Sequence, residues 1–244
     1  ITTSFTVFQI TVAQVSPEKE KELWNLRNKE IQVLYQDGNL EEALNISQEA
    51  ITLAEKGFGS ESFQYISTLL NLAQIQSELD QLESAYQTYE LALETSVSTF
   101  GEKANETLEI LDNYGEFLNS IDPEMAGPVL KEALRLTAEN DPKLAFRMEA
   151  VALNLQELGL ISEAESMLNK AIEIYINVLG EENSNTLFAM VKLAQLYLSQ
   201  GELKSAQELF EKALPLMSKE PDCIFCLACE GVCPPKAIKI FEQK

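Results

Sequence analysis

The chain has 244 residues, 45% of them hydrophobic, and its 39 Asp and Glu against 18 Lys and Arg leave a formal charge of −21. Such an acidic excess argues against nucleic acid or an anionic membrane surface as partner, and any charged partner is expected to be basic. Histidine is absent, which removes His-ligated haem, His-containing zinc sites, Ser-His-Asp triads and Cys-His pairs, and no apolar run reaches the roughly 18 residues that span a membrane.

Leu, Ala and Glu dominate, while only ten glycines and eight prolines are spread along the chain. That composition favours helix, and the expected fold class is all-α. The chain begins at Ile1 and not at Met. Removal of a leader would place the protein outside the cell or at its surface; otherwise a cytoplasmic location is expected.

Ile1 to Val15 is uncharged and dense in Thr, Val, Ile and Phe, with Phe8, Ile10 and Val12 on one side of a period-two pattern. It reads as a β-strand. Ser16-Pro17-Glu18 then predicts a helix start, with Ser as N-cap, Pro at the first helical position and acidic residues in the first turn.

From there to about Met217 the chain repeats. Alanine pairs seven residues apart recur as Ala43/Ala50, Ala85/Ala92, Ala126/Ala133, Ala164/Ala171 and Ala206/Ala213, at offsets of 42, 41, 38 and 42 residues. Five residues before each pair lies a turn position: Gly38, Asp80, Ile121, Gly159 and Gly201. Glycine there suits a helix that ends in a left-handed cap. A second mark, Phe58-Gly59, Phe100-Gly101 and Leu179-Gly180, closes the first, second and fourth units; the third has Asn140-Asp141-Pro142 instead. Each unit therefore reads as a helical hairpin. Small alanines let two helices approach, and stripes such as Leu69-Leu72-Ala73-Ile75 and Leu193-Ala194-Leu196-Tyr197 fill the space around them. One hairpin cannot bury its own apolar face, so five are expected to stack into a superhelix.

The Gly-x4-Ala-x6-Ala frames, with Tyr89 and Phe210 near the aromatic position, resemble the tetratricopeptide repeat family in its long, kinesin-light-chain-like variety. The resemblance covers roughly Glu18 to Leu216. The third unit departs from it, with Pro123, Gly127 and Pro128 in or beside its turn, and a bent hairpin is expected there. The resemblance implies a concave surface that holds a peptide or protein partner.

All four cysteines fall within eleven residues, spaced C-x2-C-x2-C-x3-C-P at Cys223, Cys226, Cys229 and Cys233. That is a site and not a scattered disulfide framework. The run resembles the cluster-binding motif of bacterial-type ferredoxins, which implies a [4Fe-4S] cluster on these four ligands. Thiolates suit iron, and Ile224, Phe225, Leu227 and Val232 would exclude water from the cluster. A four-cysteine zinc site and disulfides are the lesser alternatives, since zinc knuckles usually stand a dozen or more residues apart. Ala237 to Phe241 alternates as a short strand. A ferredoxin of this type carries two such motifs and a strand before the first cysteine, so this is half a ferredoxin, and Cys233 serves a cluster in its own chain or in a second one.

Three segments are expected: a strand extension over 1–15, helical repeats over 16–217 and a ferredoxin-type module over 218–244. Carboxylate pairs such as Glu41/Glu42 and Glu181/Glu182 read as solvated helix starts, and Trp24 and the tyrosines as core. No catalytic constellation points to an enzyme. The expected function is electron transfer by the cluster on a helical docking scaffold, with a basic redox partner. The alternative is a subunit of a polymer or filament, joined through Ser4–Val15 and Ala237–Phe241, with the cluster as relay or staple.

Overall fold

The computed structural model describes residues 16–217, among which there are ten helices and no strand. They pair as α1 (Pro17–Gln36) with α2 (Leu40–Phe58), α3 (Phe63–Glu78) with α4 (Leu82–Phe100), α5 (Asn105–Ile121) with α6 (Pro123–Leu136), α7 (Leu144–Glu157) with α8 (Ile161–Leu179), and α9 (Ser184–Ser199) with α10 (Leu203–Met217). The five expected hairpins are present. The expected strands at Ile1–Val15 and Ala237–Phe241, and the module over 218–244, lie outside the described residues.

Helix ends follow from local chemistry. Ser16 caps α1, accepting from the Lys19 amide, and Pro17 takes the first helical position, where no N–H is needed. Four hairpins turn in one way. Gly38, Asp80, Gly159 and Gly201 have φ of 75°, 56°, 73° and 78°. The next amide in each case donates back to the carbonyl five residues earlier, as from Asn39 to Leu34 at 2.8 Å and from Glu202 to Tyr197 at 2.9 Å. This is a Schellman termination, which satisfies carbonyls the helix leaves open.

The third hairpin differs. Ile121, expected as its turn, is the last residue of α5, and the chain reverses through extended Asp122 (φ −155°, ψ 99°). The Asp122 carboxylate accepts from the Glu124 amide at 2.9 Å, and Pro123 starts α6. The helix then runs without interruption past Pro128.

The described chain divides at Ile110/Leu111 into two compact units. In the first, α1 packs on α2, α2 on α3 and α3 on α4; in the second, the same succession runs from α6 to α10. All ten frame alanines are at most 1% exposed. A larger side chain at these points would push two backbones apart. In the first unit Trp24 stands edge-on to Phe58 at 5.3 Å, over Ile31, Ala50, Ala54 and Ile75.

Side-chain bonds between successive first helices report their register. Trp24 bonds to Thr68 and Tyr35 to Glu78, 44 and 43 residues apart, and Lys192 bonds to Glu149 at a separation of 43. Between α5 and α7 the pairs Asp112–Arg147 and Asn119–Asn154 are separated by only 35. The shortened third unit is accommodated by this change of register.

A candidate docking face on the first helices

In the first unit α1 and α3 run side by side, tied near their starts by Trp24–Thr68 and near their ends by Tyr35–Glu78. Between their C-terminal halves lies a cavity of about 310 Å³, lined by Ile31, Gln32, Tyr35, Gln36, Asn71, Gln74 and Ile75. Its floor is apolar, since Ile31 and Ile75 are 2% and 1% exposed. Its walls carry four side-chain amides. An amide both donates and accepts, so this lining matches the alternating N–H and C=O groups of an extended peptide, while the floor takes an apolar side chain.

The cavity has an electronegative end. The Tyr35 hydroxyl donates to the Glu78 carboxylate, and this bond, with burial and the negative charge adding to it, pushes the phenol up to about 12. Neither α1 nor α3 has a basic residue in its last turn, so the partial negative charge at both C-termini is uncompensated there. No Lys or Arg occurs between Lys56 and Lys103, a stretch that spans α3 and α4.

The second unit presents different chemistry. On α7 Phe146 and Leu153 are 49% and 37% exposed, with half-buried Ala150 between them. Behind this face Lys192 donates to buried Glu149 at 2.5 Å, and burial next to Glu149 pushes the Tyr175 phenol up. Deeper still, Arg147 is 2% exposed and fully engaged. Its Nε and Nη2 donate to the two Asp112 oxygens at 2.8 and 3.0 Å, and its Nη1 to Thr137 Oγ1 at 2.9 Å and Asp141 Oδ2 at 3.4 Å. This fork joins α5, the end of α6 and the α6–α7 loop, where the other units use a glycine.

The residues singled out from the sequence fall as follows. Trp24, Tyr89, Tyr114 and Tyr175 are core, as expected, whereas Tyr35, also expected there, is exposed at the end of α1. Glu41 and Glu42 are exposed at the start of α2, and Glu181 pairs with Lys212. Cys223, Cys226, Cys229 and Cys233 lie outside the described residues, and among the described residues no group of three or more His, Cys, Asp or Glu is placed to hold a metal. The amide-lined cavity has no sequence motif of its own. Its signal is faint but present: Gln32 and Gln74 are 42 residues apart, one repeat length, on the same face of successive first helices.

The sequence matches the family model for the tetratricopeptide repeat over residues 23–96 and 144–219. The chain belongs to the tetratricopeptide repeat family. Its fold is similar to the crystal structure of nearly identical kinesin light chain TPR-like repeats from Podosopora anserina, at 18% identity and a TM-score of 0.69, covering 84% of this chain and 98% of that one. It is also similar to BtubC (BKLC) from P. vanneervenii, at 17% identity and a TM-score of 0.71, covering 89% and 85%. A clustered mitochondria protein homolog of Candida albicans is 28% identical over 178 residues, which is 71% of this chain and 13% of that protein.

These findings correct the expected function. The family match points to a repeat scaffold, and the solved folds share its helical repeats. Electron transfer rests on the C-terminal cysteine segment and its alternative, a strand-joined polymer, on Ser4–Val15 and Ala237–Phe241 with it, whereas the helical repeats make up most of the chain. Tetratricopeptide repeat proteins are generally protein-interaction scaffolds and not enzymes, and among the described residues no helix is long and apolar enough to cross a membrane.

Proposed function

We propose that the protein is a docking scaffold that holds an extended segment of a partner protein against its first-helix faces. The observation that carries this reading is the α1–α3 cavity, with side-chain amides above a floor of Ile31 and Ile75. The amides would pair with the partner's backbone, and the floor would take one apolar side chain. The experiment is selection of a random peptide library on the full chain, followed by affinity measurement against the double variant Asn71→Ala, Gln74→Ala. Selected peptides are expected to lose at least about tenfold in affinity, equivalent to about 1.4 kcal/mol. Peptides that bind the double variant as well as the parent would overturn the reading.

We also propose that Cys223, Cys226, Cys229 and Cys233 are the ligands of a [4Fe-4S] cluster. Support comes from the donor set, four thiolates in the C-x2-C-x2-C-x3-C-P spacing in a chain without histidine. The chain would supply the four thiolates and the apolar residues between them. Iron and sulfide analysis tests this. Cys226→Ser should abolish the visible charge-transfer absorption and leave the helical circular dichroism of the repeats unchanged. Stoichiometric zinc without iron would overturn it.

A further inference from the structure

We infer that the partner segment held in the α1–α3 cavity carries a lysine or arginine, and that its cation sits at the end of the cavity marked by Tyr35 and Glu78. This rests on the docking reading above and adds the chemistry of the occupant and its direction.

Three observations converge on that end. Glu78 is exposed and accepts from the Tyr35 hydroxyl, which leaves other lone pairs of the carboxylate free to accept from an incoming N–H. None of the ion pairs among the described residues involves Glu78 or Asp37, so no described Lys or Arg is paired with them there. Tyr35 is 38% exposed, and its ring offers a face to a cation that approaches the carboxylate. The C-termini of α1 and α3 add their partial negative charge to the same place.

The rest of the cavity gives the direction. Its amide walls are uncharged, and the basic residue of α1 nearest to them in sequence, Lys29, is exposed closer to the helix start than Gln32. A cation on the partner is therefore repelled at the Lys29 end and attracted at the Glu78 end. An acidic residue would meet the opposite pattern. The described part of the first unit, with 18 acidic and six basic residues, biases approach in the same sense.

The test uses the peptides selected on the full chain. Those whose affinity depends on Asn71 and Gln74 are expected to share one Lys or Arg. Replacing that residue by norleucine should weaken binding to the parent chain about tenfold and binding to Glu78→Gln hardly at all, because the glutamine side chain still accepts from Tyr35 but carries no charge. Unchanged thermal unfolding of Glu78→Gln guards against a folding effect. Peptides that need Asn71 and Gln74 but have no basic residue, or whose Lys is equally important in both chains, would overturn this inference and leave the docking reading intact. Peptides indifferent to Asn71 and Gln74 would overturn both.

Discussion

The indole N–H of Trp24 donates to Thr68 Oγ1 at 2.9 Å, and the Thr68 hydroxyl donates in turn to the Gln64 carbonyl at 2.6 Å. Trp24 is 8% exposed and Thr68 fully buried. The pair fixes α1 against α3 near their N-terminal ends, and the docking cavity opens between the same two helices further along.

Thr68→Val keeps the shape and removes the acceptor, which leaves a buried indole N–H without a partner. A loss of about 1–3 kcal/mol is expected in urea unfolding. Trp24→Phe, paired with Thr68→Val, should cost less than the sum of the two single changes, because it removes the orphaned donor. Strict additivity would show that the bond does not set the register.

Arg147 should be the most sensitive polar residue of the second unit. Arg147→Met strands the Asp112 carboxylate among buried neighbours, and a cost of about 3–5 kcal/mol is expected. Adding Asp112→Leu should restore much of it, since two apolar side chains replace a buried ion pair. Arg147→Lys should rescue little, as an ammonium cannot make the two parallel bonds to Asp112. Chemical unfolding of the three variants decides the point.

The Tyr35–Glu78 bond makes stability depend on alkaline pH. The folded phenol is raised from 10.0 to about 12, chiefly because it donates to Glu78. A raised value means that the contribution is fully present below about pH 10 and is lost as pH rises towards 12. Tyr35→Phe should therefore flatten this part of the unfolding-against-pH curve. An identical slope in both chains would exclude the bond as its cause.

Gly59, Gly101 and Gly180 close their units at φ of 93° to 95°, in a backbone region that side chains avoid. An added Cβ would meet nothing within 4 Å at any of the three, so Ala there tests the backbone alone. A cost of about 1–3 kcal/mol is expected for each. Gly115→Ala should be costly for the opposite reason: its Cβ would lie 2.4 Å from Leu130 Cδ2. Thermal unfolding of the single variants compares the two causes.

By itself the sequence determined the five hairpins. Alanine pairs at a fixed offset and glycines before them are local marks, because a helix ends or approaches a neighbour according to the few residues at that point. The same locality limits the cysteine run: it is a compact local mark and says nothing of what the long helical remainder does. Only the tertiary structure decided the third turn, where Asp122 stands in for a missing glycine, the α6–α7 junction, which the Arg147 fork holds, and the cavity between α1 and α3. Asp112 and Arg147 are 35 residues apart, and Tyr35 and Glu78 are 43 apart. Which side chains meet across such distances depends on the length and register of every helix between them, and no short pattern in the chain carries that sum.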